Sequence, residues 1–193
     1  MPVQFFTAVS KKQLSVLVQG FIASDTDSAL QVHLGQCLSR GERMDYAIQK
    51  ATELGVTQLT PLFSERCEVR LNTERLNKRT QHWQQVAVSA SEQSLRCSVP
   101  AVESAQHLTN WVSSIQADLK LVLDPRAAQP LSSFAAPTSV ALLIGPEGGL
   151  SDQEVAQAAA AGFLPIALGP RVLRTETAPI AALSLLQYLW GDL

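Results

Sequence analysis

Residues 140–168 read VALLIGPEGGLSDQEVAQAAAAGFLPIAL. Val140–Ile144 is a short apolar run closed by Gly145, the pattern of a strand buried on both faces. Ser151-Asp152-Gln153-Glu154 is a capping box, with Ser at the cap and Glu three residues on. It opens an Ala-rich helix over Asp152–Ala161, which Gly162 closes. Leu164–Leu168 is a second strand, with Pro165 near its start, where a missing N–H is best tolerated. Strand, capped helix and strand in this order predict a parallel βαβ unit.

The same alternation continues on both sides. Toward the carboxyl end, a helix over about Pro179–Trp190 has Pro at or near its first position, where its fixed φ is favourable. That helix is apolar almost all round, so it is either deeply buried or placed at a subunit interface. Toward the amino end, Leu119–Leu123 is a clear strand and Ser98–Val102 a weak one. Ser104 is read as the cap of a short helix reaching about Val112. Thr73 to about Leu95 predicts a long helix with Leu76, Trp83, Val86, Ala87 and Ala90 on one face. Val56–Phe63 is a strand candidate. Arg43–Leu54 carries Met44, Ala47, Ile48, Ala51 and Leu54 at helical spacing, and Gly55 stands where a left-handed cap belongs. Five short apolar strands alternating with helices predict an α/β fold, a mostly parallel sheet covered on both faces.

The first 34 residues differ. VQFFTAVS and QLSVLVQGFI are rich in β-branched and aromatic residues, and Ser10-Lys11-Lys12 between them suits a hairpin. Leu30–Leu34 adds a strand-like run. Three or so strands without a helix cannot close a small barrel alone. The expected division is a β segment over 1–35 and an α/β domain over 36–193.

Composition narrows the classes. The chain has 193 residues, 46% hydrophobic and 17% charged, enough for one α/β core with a modest appendage. No apolar run approaches the roughly 20 residues of a membrane span, and the start lacks a secretory signal; a soluble cytoplasmic protein is expected. Cys37, Cys67 and Cys97 are scattered, as are His33, His82 and His107, so no metal site is expected. The net charge of −2 does not announce a nucleic acid. The halves are unequal: residues 1–100 hold eleven Lys and Arg against nine Asp and Glu, residues 101–193 four against eight. Much of the basic charge lies in Arg40–Lys50 and Arg66–Arg79.

Ligands of open parallel sheets bind beyond the carboxyl ends of the strands. Three loops qualify: Asp124-Pro125-Arg126, Gly145-Pro146-Glu147-Gly148-Gly149, and Gly169 to Ala178. The glycines of the second let backbone approach a flat ligand closely, and the start of the helix capped by Ser151 offers further N–H donors. It is neither GxGxxG nor GxxxxGK[ST], which argues against dinucleotide and P-loop readings. The third loop packs two Arg, one Glu and two Thr between an apolar strand and an apolar helix. Such a concentration suggests a site; the bland alternative is a surface loop with a local Arg174–Glu176 pair.

LLIGPEGGLS at 142–151 and LGPRVLRTETA at 168–178 resemble the paired signatures of the SPOUT superfamily of RNA methyltransferases. MDYAIQKATELGVTQLTPL at 44–62 and AVSASEQSLRCSVP at 87–100 resemble blocks of the ribosomal RNA uridine-N3 methyltransferases, which act on 16S RNA of the small subunit. The resemblance covers about residues 35–193. It implies a C-terminal trefoil knot, a homodimer, and S-adenosylmethionine bound in the knot by Gly145, Glu147, Gly148, Gly149, Leu168, Gly169, Val172, Leu173 and Arg174, with Leu123 beside the adenine. It also implies an N-terminal PUA-type barrel, of which residues 1–35 look like only the second half, apparently truncated.

The chemistry implied is alignment of uracil N3 with an activated methyl and removal of the imide proton, on a base presented from single-stranded or flipped-out RNA. Arg174 and Glu176 are the catalytic candidates on the third loop, and Arg96 in the SEQSLR block is the candidate for holding base or phosphate. Glu147 is expected to meet the cofactor's positive end. No residue is singled out as general base, and Thr175 and Thr177 could equally cap the last helix. Competing readings are a SPOUT enzyme for another RNA, such as a transfer-RNA ribose or base, a catalytically inactive RNA-binding relative, and a nucleotide hydrolase, for which no phosphate-binding lysine is present.

Overall fold

Strands β1 (Pro2–Val9) and β2 (Leu14–Phe21) pair antiparallel, as the two β-branched runs predict. The computed structural model describes residues 2–9, 12, 14–21, 26–69, 72–127 and 129–193, so most of the expected turn at Ser10–Lys12 lies outside the described residues. The register shifts at Val3/Gln4 and Phe6/Ala8; such irregularities bend a ribbon and increase its twist.

The second sheet has seven strands in the order β5-β4-β3-β8-β7-β9, with β6 also on β4, and every pairing in it is parallel. Its centre is β3 (Gln31–Cys37), between β4 (Gln58–Phe63) and β8 (Ser139–Ile144). This corrects the expected division at residue 35, which would cut β3 in two. Leu30, Val32, Leu34 and Cys37 are all buried, so the strand belongs where both faces are covered rather than in a half-exposed hairpin sheet. Gly35 has a packing reason: a Cβ there would lie 2.6 Å from Cη2 of Trp111, whose ring lies against the strand.

Helices cover both faces. On one, α1 (Arg43–Glu53) packs against α2 (Thr73–Gln93) and α5 (Thr177–Trp190). Met44, Ala47, Ile48 and Ala51 of α1 and Trp83, Ala87 and Ala90 of α2 are buried, as their spacing predicts, and Gly55 at φ +82° follows α1. Asn72 caps α2, its Oδ1 accepting from Arg75 N at 2.9 Å. On the other face, α3 (Leu108–Ser114) packs against α4 (Asp152–Ala160) over Cys37, Leu62, Val122, Leu143 and Phe163. Ser104 does not cap α3. Gln106–His107 instead forms β6 beside Leu62 and Phe63, and the helix begins at Leu108.

The capping box of α4 forms as read: Ser151 Oγ accepts from Glu154 N at 3.3 Å and Glu154 Oε2 from Ser151 N at 2.9 Å. The remaining strands are β5 (Ala101–Val102), β7 (Leu119–Leu123) and β9 (Leu164–Ile166). The last is two residues shorter than expected, because Ala167 and Leu168 leave the sheet for the loop that follows. Helix α5 begins at Thr177, ahead of the expected start, with Pro179 still in the first turn, where its missing N–H costs no bond. One face of α5 is buried through Ala178, Ala182, Leu183 and Leu186, while Leu185, Tyr188 and Leu189 are exposed. Among the described residues no helix is long and apolar enough to cross a membrane.

Candidate functional site

Parallel strands end on one side of a sheet, so the loops after β7, β8 and β9 meet there. Together they enclose a cavity of about 610 Å³, within the range of small-molecule sites. Leu123, Ile144, Leu150, Leu168 and Leu173 give it apolar walls; Asp124, Glu147, Asp152 and four arginines give it polar ones. Of the residues expected to hold a cofactor, Leu123, Gly145, Glu147, Gly149, Leu168, Gly169, Val172, Leu173 and Arg174 all line this cavity. Gly148 does not. It packs on Arg66, whose Cβ would stand 3.2 Å from a Cβ at 148. Arg66 itself, which donates to Gly148 O at 3.1 Å, was not anticipated; nothing in its local sequence distinguishes it from the rest of its basic run.

Polar bonds between the loops hold the cavity open. Thr175 Oγ1 donates to Gly145 O at 2.9 Å and accepts from Gln36 Nε2 at 3.1 Å, pinning the third loop to the second and to β3. Thr175 is therefore a tie between loops and not a helix cap. The carboxylate of Glu154 accepts from Glu65 N at 2.8 Å, anchoring the chain after β4 to the start of α4. Arg126 grips Asp124 with a two-point fork, Nε–Oδ1 3.0 Å and Nη2–Oδ2 2.9 Å, and reaches Asp152 at 2.7 Å. Hydrogen bonds from this guanidinium hold both carboxyls below their usual range. Burial alone would raise the Glu147 carboxyl, but N–H donors from its own backbone and Arg40, with the Arg43 guanidinium, bring it below normal.

The expected catalytic residues separate. Arg43, at the start of α1, bonds Glu147 at 2.7 Å and lies 3.8 Å from Glu176. Glu176 thus faces Arg43, and the local Arg174–Glu176 pair does not form. The second oxygen of Glu176 is buried without a partner among the described residues. Arg174 lines the cavity with its side chain exposed. Arg96 is elsewhere. Its side chain is 4% exposed. It donates to Thr52 O and Val56 O at 2.8 Å each and to Asp27 at 3.1 Å. A guanidinium engaged in this way satisfies carbonyls at the end of α1 and is not free to hold a base or phosphate. Among the described residues there is no cluster of three His, Cys, Asp or Glu suited to a metal.

The cavity can therefore enclose a flat ligand between apolar walls and bare backbone, with carboxylates and arginines at its edge. A family model described as an RNA methyltransferase domain matches residues 26–187, which sets the class. The ribosomal RNA small subunit methyltransferase E of Buchnera aphidicola (from Schizaphis graminum) is 36% identical over 96% of this chain and 76% of its own length. The same-named protein of Bacillus subtilis is 34% identical over 94% and 75%. A methyltransferase of Legionella pneumophila, solved with the bound cofactor SAM, superposes with a TM-score of 0.95 at 42% identity, covering 98% of this chain and 79% of that one. The Neisseria gonorrhoeae ribosomal RNA small subunit methyltransferase E, solved bound to S-adenosyl methionine, gives 0.93 at 38%, covering 99% and 79%. The chain belongs to the family of the ribosomal RNA small subunit methyltransferase E proteins.

Proposed function

We propose that this chain transfers a methyl group from S-adenosylmethionine to N3 of a uridine in 16S ribosomal RNA. The observation that carries the reading is the cavity formed by the loops after β7, β8 and β9, lined by nine of the ten residues that the motif resemblance names for the cofactor. The residues fit such a ligand. Leu123, Ile144 and Leu168 offer an apolar slot, Gly149 at φ +69° presents backbone with nothing within 4 Å of its missing Cβ, and Asp124 and Glu147 are carboxylates in the wall. When bound, S-adenosylmethionine supplies a methyl group already activated by its sulfonium.

The chain's own residues orient the groups and manage the proton. Enclosure by Leu150 and Leu173 keeps water from the methyl donor. The imide proton of N3 needs an acceptor; Glu176 is the candidate on the third loop, behind the wall rather than in it, next to the lining residue Thr175 and with an Oε2 that lacks a donor among the described residues. Arg174, exposed at the cavity, is the candidate to hold the presented nucleotide in place. Arg43 holds Glu147 and Glu176 in one frame.

Around this centre we place the rest of the reading. The chain after β9 crosses from the sheet edge to Gly145 and Gln36 through Thr175 before α5 packs on α1, a return path that supports the trefoil knot. The exposed face of α5 supports a homodimer, and the twisted β1–β2 hairpin is read as part of a PUA-like RNA-binding unit. Incubation with methyl-labelled cofactor and small ribosomal subunits, followed by nucleoside analysis, is expected to yield N3-methyluridine. Label in another nucleoside would replace the substrate assignment, and no label in any RNA would remove it.

A further inference from the structure

With a net charge of −2, the distribution of uncompensated cations says more than their number. Four of the nine described arginines are neutralised locally: Arg40 by Glu68, Arg43 by Glu147 and Glu176, Arg96 by Asp27, and Arg126 by Asp124 and Asp152. Arg66 is engaged with Gly148 O. Among the described residues, four guanidinium groups have neither an acidic partner nor a hydrogen-bonded acceptor: Arg75, Arg79, Arg171 and Arg174. The first two lie a turn apart on the exposed side of α2. The other two line the cavity, both with exposed side chains, on either side of Val172, itself 81% exposed.

An unpaired arginine in a polar wall is a five-donor fork without an acceptor. Its counterpart is an oxyanion, and at a cavity that receives a nucleotide two are at hand: the backbone phosphates of RNA and the cofactor's carboxylate. Exposure favours the first. A side chain directed to solvent can meet a polymer lying across the mouth, whereas a cofactor enclosed by the loops is met from inside. The paired arginines show the contrast, since Arg126 is spent on shaping the wall.

Resting on the methyltransferase reading above, we propose that Arg171 and Arg174 grip the phosphates flanking the nucleotide presented to the cavity. Arg171 then acts in positioning the substrate, not in chemistry. Each phosphate contact on a single strand contributes about 0.7 to the slope of log affinity against log salt.

The test is a salt titration of a fluorescent single-stranded small-subunit RNA fragment, paired with calorimetry of S-adenosylhomocysteine, on the whole chain. Arg171→Ala is expected to weaken RNA binding about three- to tenfold and to lower the slope by about 0.7, and the double variant Arg171→Ala/Arg174→Ala by about twice that. Arg171→Lys should keep the slope, because it keeps the charge. Lys78→Ala, whose ammonium is paired with Glu74, should change neither. Unchanged RNA affinity and slope in Arg171→Ala overturns the grip, as does a loss confined to S-adenosylhomocysteine, which would assign the guanidinium to the cofactor. If the unaltered chain binds neither ligand, the methyltransferase reading fails first and the grip with it.

Discussion

Gly149 sits at φ +69° with open space where a side chain would begin, so its constraint is conformational as well as spatial. A valine there would be strained by about 1–2 kcal/mol and would add bulk to a residue of the cavity wall. Gly149→Val is therefore expected to weaken S-adenosylhomocysteine binding at least tenfold in calorimetry, with the thermal transition retained. His33 carries a different prediction. Its Nε2 accepts from Trp111 Nε1 at 3.4 Å and meets Thr60 Oγ1 at 2.8 Å. Burial pushes its imidazole down to about 4, against a smaller upward pull from Glu103. The unfolded chain binds this proton below about 6.5, while the native state refuses it until about 4. Stability from this group is thus full above 6.5 and is lost as the pH falls toward 4. Urea unfolding at pH 7 and 5 should show the loss, and His33→Gln should flatten it; an equal loss in both proteins would assign it to other groups.

At the level of elements, local signals were legible where local chemistry decides the structure. The α4 capping box, the apolar stripes of α1 and α2 and the Gly55 stop all stand as their spacing predicts. Ser104 is no guide because a cap residue is also at home in extended chain, and the pairing of Gln106 and His107 with Leu62 and Phe63 is invisible to any local pattern. Arg96 misled for a related reason: a charged side chain in a motif reads as a ligand contact until its acceptors, two carbonyls and Asp27, come from distant segments. The apolar sequence of helix α5 suits both burial and an interface, and both readings have a face. Leu185, Tyr188 and Leu189 lie at helical i, i+3, i+4 spacing and are 40%, 72% and 38% exposed. A second copy packed on that face would give a two-fold dimer. Light scattering is expected to show a dimer at tens of micromolar and a monomer for Tyr188→Glu. A monomeric unaltered chain would refute the assembly.

For the molecule as a whole, the class of fold and the side of the sheet that carries the cavity were readable, because alternating apolar runs and helices require a parallel sheet and parallel strands end together. The strand order was not. Periodicity places residues on faces but is silent about neighbours, so the run at Leu30–Leu34 was grouped with the hairpin that precedes it in the chain. Its place in the middle has a temporal consequence. Gln31 lies opposite Ser139, so one flank of β3 has no partner until most of the polypeptide exists. Synthesis from the amino end leaves that apolar strand waiting, held at best by β4, while the rest emerges. Such long-range pairing slows folding and exposes an adhesive edge in the interval. The centre of the finished sheet is the most vulnerable part of the nascent one, and crowding at high expression should cost this chain more yield than its final stability suggests.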